Sequence, residues 1–351
     1  MTTELELDFI LPGNPQTKTG GYIYDHRIIE GLTKLGWRVT VHSFDSSFPF
    51  PTKEALARAR VALNKIRSGN LVLIDGLALG GMPTLLDEQK ERLRLAALVH
   101  HPLALDIGLS PQERKIMSQS EKKCLSTVKQ IFVTSQWTKE QIVKLHIPSN
   151  KVEVVVPGTD KAALAHGSKN ALIRILCVAT LTSRKGHSIL FDALEKLPTR
   201  SWHLYCVGSL EREVRTVKKL RAQLTRLRLN EHVTLLGEVN PEALSKHYDG
   251  ADLFVLASHL EGYGMVLSEA IARGLPVICT SAGAIPMTPA ADAALLVPEG
   301  NRLELSKALL EVINNEKALK MLAKKSRVVR NNLPIWNQSC NQFSSFLREI
   351  N

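Results

Sequence analysis

The feature that most limits what this chain can fold into is an alternation. Short runs of Val, Ile, Leu and Phe keep giving way to stretches of helical periodicity, and the pattern lapses once and starts again. A near-continuous apolar run of strand length marks a strand covered on both faces, because a strand with one wet face would alternate apolar and polar residues. The runs 5–11, 38–43, 71–75, 95–100, 130–134 and 152–156 read as buried strands, and helical stretches such as 22–35 and 111–126 separate them. Strand-helix alternation forces right-handed crossovers and a parallel sheet, with ligands received beside the carboxyl ends of the strands. The lapse runs through Pro157-Gly158-Thr159-Asp160 and His166 to Asn170, after which strands resume at 173–178, 202–207, 233–236, 253–256 and 277–279. The sequence therefore predicts an α/β protein of two Rossmann-like, doubly wound domains, 1–165 and 166–334, with a linker near 157–170. From Asn301 onward it reads as helices only; Pro334 interrupts them, and 335–351 is an amphipathic helical piece expected to pack back on the first domain.

Size agrees with this division: 351 residues exceed one ordinary core of roughly 150. Two domains imply a cleft. The first residues lack the basic end and apolar run of a secretory signal, and the longest apolar-rich stretch, 71–86, is broken by Asp75, glycines and Pro83. A soluble, cytoplasmic protein is expected. The cysteines Cys124, Cys177, Cys206, Cys279 and Cys340 are odd in number and never in Cys-x-x-Cys spacing, which reads as buried free thiols rather than metal ligands. The net charge of +11 is spread, with 21 Lys+Arg against 17 Asp+Glu in residues 1–165 and 24 against 17 in the rest. Its densest run, 212–228, reads as a solvated helix face without aromatic companions. That argues against a nucleic-acid partner and for peripheral membrane contact at most.

The most informative stretch is Glu261-Gly262-Tyr263-Gly264-Met265-Val266-Leu267-Ser268-Glu269-Ala270. A strand ends, a glycine turn follows, and a helix opens near Met265. Its first amides and positive dipole end suit an anion such as a diphosphate. Glu261 in the turn and Glu269 one helical turn on can accept from the hydroxyls of a polyol. Taken alone, the same stretch also describes a strand-turn-helix with packing glycines and two surface glutamates. The whole string, however, resembles the signature of the family-four retaining glycosyltransferases, Glu-Gly-Phe-Gly-x-x-x-x-Glu-Ala followed by Gly-x-Pro-Val, with Tyr263 in place of Phe. The resemblance implies the GT-B fold, two such domains facing a cleft, with the sugar nucleotide on the second and the acceptor mainly on the first. By the same resemblance Glu261 contacts the donor sugar and Glu269 the ribose. The turn at Gly262 and the amides of Gly264, Met265 and Val266 meet the phosphates.

A second match is Ala179-Thr180-Leu181-Thr182-Ser183-Arg184-Lys185-Gly186, which is similar to the family's Gly-Arg-Leu-x-x-x-Lys-Gly but departs from it at Ala179-Thr180. Read as residues, Arg184 and Lys185 are flexible cations at a strand's carboxyl end. Charge developing on a leaving group is compensated there by cations or by a metal. The family resemblance gives them the departing nucleoside diphosphate. In the first domain, Gly20 and Gly21 open a helix after the first strand and let backbone approach a ligand. His100 and His101 end another strand; alternation sends them to opposite faces, and register with the family favours His100 near the donor sugar. Gly208, Glu238, Asp75 and Tyr248 lie at other strand ends or adjacent turns, with Gly208 and Glu238 counted to the nucleotide side. No Asp-x-Asp occurs, so no metal cofactor is expected. The activity implied is metal-independent hexosyl transfer with retention from a UDP- or GDP-sugar to a small-molecule, glycan or lipid-linked acceptor. Rival readings are an epimerase or phosphorylase of the same fold and a non-catalytic sugar-nucleotide-binding subunit.

Overall fold

The structure, a computed structural model, describes residues 5–169 and 172–350; residues 1–4 and Asn170, the end of the expected lapse, lie outside the described residues. The chain divides into two compact units, Met1–Gly158 with Pro334–Asn351, and Thr159–Leu333.

Unit 1 is built on six parallel strands: β1 (Leu5–Pro12), β2 (Trp37–Phe44), β3 (Leu71–Asp75), β4 (Arg94–Val99), β5 (Gln130–Val133) and β6 (Val152–Val154), in the order β2-β1-β3-β4-β5-β6. β3 is buried at every position and β4 at all but its first, as continuous apolar runs require when helices cover both faces. One face carries Ile10, Val72, Ile74, Ala97, Val99, Ile131 and Val133 against Ala55, Ala59 and Leu63 of the helix Lys53–Lys65. β2 departs from the sequence expectation: it is the sheet's edge, and between Trp37 and Phe44 its residues are half-buried or exposed. Val39 and Val41 supply strand propensity without burial, which a run of β-branched residues cannot distinguish.

The helix Trp336–Arg348 closes unit 1. Phe343 stacks on Phe132 of β5 with ring centroids 4.2 Å apart, and Trp37 Nε1 donates to Ser344 Oγ at 2.9 Å. Phe343 is fully buried, so Phe343→Ala is expected to cost about 3–5 kcal/mol by emptying the space over Phe132. Urea denaturation checks this; a loss below about 1 kcal/mol would show that the helix adds little to the unit.

Unit 2 repeats the plan with β7 (Ile173–Val178), β8 (Trp202–Val207), β9 (Val233–Gly237), β10 (Leu253–Leu256), β11 (Val277–Thr280) and β12 (Leu295–Val297), all parallel, in the order β12-β11-β10-β7-β8-β9. β12 was not expected: three residues are too few to register as a period. Residues 159–165, assigned by sequence to the first domain, pack here. Ala165 N donates to Arg273 O at 2.9 Å and Arg330 Nη2 donates to Ala162 O. Strand order reverses between β7 and β10 in this sheet and between β1 and β3 in the other. These are the points where the loops splay apart and open sheets receive ligands. No helix among the described residues is long and apolar enough to cross a membrane.

Candidate functional site

In unit 2 the residues singled out by sequence converge on the switch point. After β7 the chain makes a single turn, Ser183–Lys185, and enters the helix His187–Glu195 through Gly186 at φ +66°. Any Cβ at Gly186 would collide with the carbonyl of Ala257, so the close approach of this turn to the end of β10 requires glycine there. His259 N donates to Arg184 O at 2.8 Å, tying the two loops together.

Across this seam Lys185 Nζ donates to Glu261 Oε1 at 2.6 Å, and Ser258 Oγ donates to the same oxygen at 2.6 Å. Arg184 Nη1 donates to Leu260 O at 2.8 Å and lies 3.9 Å from Glu261 Oε2. The expectation of two flexible cations is therefore corrected: the side chains of Lys185 and Glu261 are 15% and 7% exposed and form one buried ion pair. Burial alone would raise the Glu261 carboxyl, but Lys185 and Arg184 outweigh it and hold the group below its ordinary value. Burial lowers Lys185, and the attraction of Glu261 only partly offsets that. The result is an ionised carboxylate with two cations on one side.

The helix Met265–Ala272 starts beside this pair, with Gly264 at φ +91° as its N-cap and no side chain capping it. The amides of Met265 and Val266 are in its first turn, where backbone N–H groups have no intrahelical acceptor. Glu269 Oε2 accepts from Tyr248 Oη at 2.9 Å. Arg273 donates to Glu269 O at 3.0 Å while its guanidinium carbon lies 4.4 Å from the Tyr248 ring centroid. Burial and the neighbouring Glu269 raise the Tyr248 hydroxyl well above its ordinary value, which keeps it a donor. Gly262 is half-buried in the turn. Gly208 packs against the Ala179–Thr180 backbone, and its N–H donates to Gly237 O at 2.9 Å. Glu238 is exposed just after β9, which lies two strands from β7, and among the described residues no hydrogen bond or ion pair joins it to the Lys185–Glu261 pair.

Unit 1 gathers a second set at its own switch point. Gly20 and Gly21 open the helix Gly20–Lys34, and a Cβ at Gly21 would stand 3.1 Å from His100 Cδ2. His100 Nε2 lies 2.9 Å from Asp25 Oδ1 and 3.4 Å from Asp75 Oδ2. His101 is half-buried beside it. Asp25, Asp75 and His100 form the one group among the described residues whose ligand-type atoms lie close enough, within 4.8 Å, to hold a metal ion. Sequence reasoning noted Asp75 only as a strand end and missed Asp25. The signal was present, since Asp25 shares the buried stripe of Ile28 and Leu32 on an amphipathic helix, where an ionisable residue needs a partner.

Residues 159–329 match the family described as glycosyl transferases group 1. A D-inositol 3-phosphate glycosyltransferase from Mycobacterium sp. (strain KMS) is 29% identical over 195 residues, 52% of this chain and 44% of that protein, so the chain spans under half of that relative's length. Among solved structures, sucrose-phosphate synthase from Thermosynechococcus elongatus superposes with a TM-score of 0.81 at 19% identity, covering 98% of both chains. HepE from Anabaena, solved in complex with UDP and glucose, gives 0.77 at 18% identity, covering 98% of this chain and 100% of that one. At these identities the likeness is one of fold, while the family match is one of sequence and takes in the whole Glu261–Glu269 turn and helix. Residues 159–329, nearly all of the second unit, are thus similar in sequence to the group 1 glycosyltransferases, and the two parallel-sheet units have the GT-B fold of the solved structures.

Proposed function

We propose that the protein transfers a glycosyl group from a UDP- or GDP-sugar to an acceptor hydroxyl, with retention at the anomeric carbon and without a metal cofactor. The observation that carries this reading is the Lys185–Glu261–Ser258 cluster at the uncapped start of the helix Met265–Ala272. A diphosphate at that helix start meets the amides of Met265 and Val266, and Arg184 and Lys185 supply the charge that a metal would otherwise provide. Glu261 then turns to the sugar hydroxyls, and Glu269 with Tyr248 to the ribose. In the transfer the bond from the anomeric carbon to the β-phosphate oxygen breaks, and a bond to the acceptor oxygen forms on the same face. The acceptor proton passes to the departing phosphate. The acceptor class is a small molecule, a glycan or a lipid-linked sugar.

Thermal-shift measurement against UDP- and GDP-sugars tests the donor; the cognate one at a hundredfold its dissociation constant is expected to stabilise the protein by about 2.7 kcal/mol. Turnover with that donor should survive EDTA and give a product whose anomeric proton coupling matches the donor's. An inverted product refutes retention. Interconversion of donor sugars in the absence of acceptor would make the protein an epimerase.

A further inference from the structure

We infer that Asp25 and Asp75 hold His100 as a fixed imidazolium, directing both carboxylates to Nε2 and leaving Nδ1–H as a hydrogen-bond donor to a substrate oxygen, with Asp25 the positioning residue. The assignment of that oxygen to a glycosyl substrate rests on the function proposed above; the state of the ring does not.

The geometry at the switch point of unit 1 carries the inference. A nitrogen 2.9 Å from one carboxylate oxygen and 3.4 Å from another faces two acceptors and must bear hydrogen. Those carboxylates are among the least accessible in the unit, with Asp25 1% and Asp75 3% exposed. Burial raises the Asp25 carboxyl to about 6 against the pull of His100; above that value it is ionised, and a buried carboxylate that has lost its water favours a cation beside it. Asp75 is further occupied by Leu77 N, which donates to its Oδ1 at 2.9 Å. With Nε2 committed, Nδ1 is the ring nitrogen without a partner among the described residues, on a side chain that stays 19% exposed.

The ring is also held in place. Gly21 backbone lies against one side of it, and a side chain there would displace it. Tyr24 meets it edge-on at 5.6 Å and is itself pinned by its hydroxyl, which donates to Val155 O at 2.8 Å. Thr134 and Thr138, from the end of β5 and the helix that follows, bring their hydroxyls to His100 O at 3.2 and 3.5 Å. The titratable groups facing the ring are thus Asp25 and Tyr24 from the helix Gly20–Lys34 and Asp75 from β3. Burial disfavours a charged imidazole, but Asp25 and Asp75 outweigh it and raise His100 to about 10. Below that value the charge is present, so His100 donates and stabilises negative charge across the neutral range. It cannot serve as a proton acceptor there.

Long-range 15N–1H NMR of the full chain labelled at histidine, with His100→Gln to assign the signal, reads the ring directly. The expected result is a doubly protonated imidazole from pH 6 to pH 9, and a ring that titrates near its ordinary value of about 6.5 in Asp25→Asn. In the same variant kcat/KM should fall at least about tenfold more than in the wild type between pH 5.5 and 8.5, following the charged fraction of a group with pKa near 6.5. Asp75→Asn is the second variant should Asp25→Asn fail to fold, and is expected to shift the titration in the same direction. A wild-type ring that titrates near neutrality overturns the inference whatever the activity. So does a loss in Asp25→Asn that is uniform with pH, which is what a merely structural role produces. Stoichiometric Zn2+ or Mn2+ binding by calorimetry that disappears in Asp25→Asn would make the cluster a metal site and overturn it as well. The expected titration without detectable glycosyl transfer would refute the function proposed above and leave this inference standing.

Discussion

Lys185→Met is expected to lose the proposed glycosyl transfer by a factor of about 10²–10⁴ and to destabilise the protein by about 3–5 kcal/mol at the same time. The two losses have different causes. In the proposed reaction, activity falls because a cation is withdrawn from the place where the leaving diphosphate would gather charge. Stability falls because Glu261, 5% exposed and held by Lys185 at 2.6 Å, is left as a buried carboxylate with Ser258 and a more distant Arg184 for company. The double variant Lys185→Met with Glu261→Gln separates them: removing the stranded charge should restore most of the melting temperature and none of the activity. Calorimetry and initial rates on the three variants decide it. Wild-type rates in the double variant would exclude Lys185 and Glu261 from the reaction.

The second large effect is expected at Gly186→Ala, a loss of more than about 3 kcal/mol from one methyl group, as left-handed backbone strain adds to overpacking. Gly186 stands at φ +66°, and its missing Cβ is where the carbonyl of Ala257 sits. To make room the turn after β7 must lift from the end of β10, breaking the contact between His259 N and Arg184 O and drawing Lys185 away from Glu261. Activity is therefore expected to disappear even at temperatures where the variant remains folded. A Gly186→Ala protein with an unchanged melting temperature would mean that the seam between the two loops is looser than its contacts imply.

The fold was readable from the chain because doubly wound sheets write themselves as apolar runs, continuous in the interior strands β3, β10 and β11 and interrupted by single polar residues such as Asp8 in β1 and Arg174 in β7. Legibility failed at the margins. β2 carries strand residues on an exposed edge, β12 is three residues long, and 159–165 have no periodicity to show that they pack beside Arg273 and Arg330. The candidate site shows the same division. The turn and helix 261–269 are local in sequence, so their glycines and glutamates could be read as one unit. The pairing of Lys185 with Glu261 joins residues 76 apart, and that of His100 with Asp25 joins residues 75 apart. Such partners become neighbours only through strand order, which no local pattern encodes.

The return of the helix Trp336–Arg348 to unit 1 makes that unit discontinuous while unit 2 is one unbroken segment. On a chain made from its amino end, all the strands of unit 1 exist before unit 2 has been synthesised, yet Phe132 still lacks the ring that covers it. Unit 2 has everything it needs as soon as Leu333 has emerged, and its folding brings residues 162 and 330 into hydrogen-bonding contact. Once that contact forms, the long loop separating the sheet of unit 1 from its final helix has been replaced by a short bridge, and most of the entropy of closing it has already been lost. The cost of closing unit 1 with its last helix is thus set by the short span between residues 162 and 330 rather than by the full length of the inserted segment.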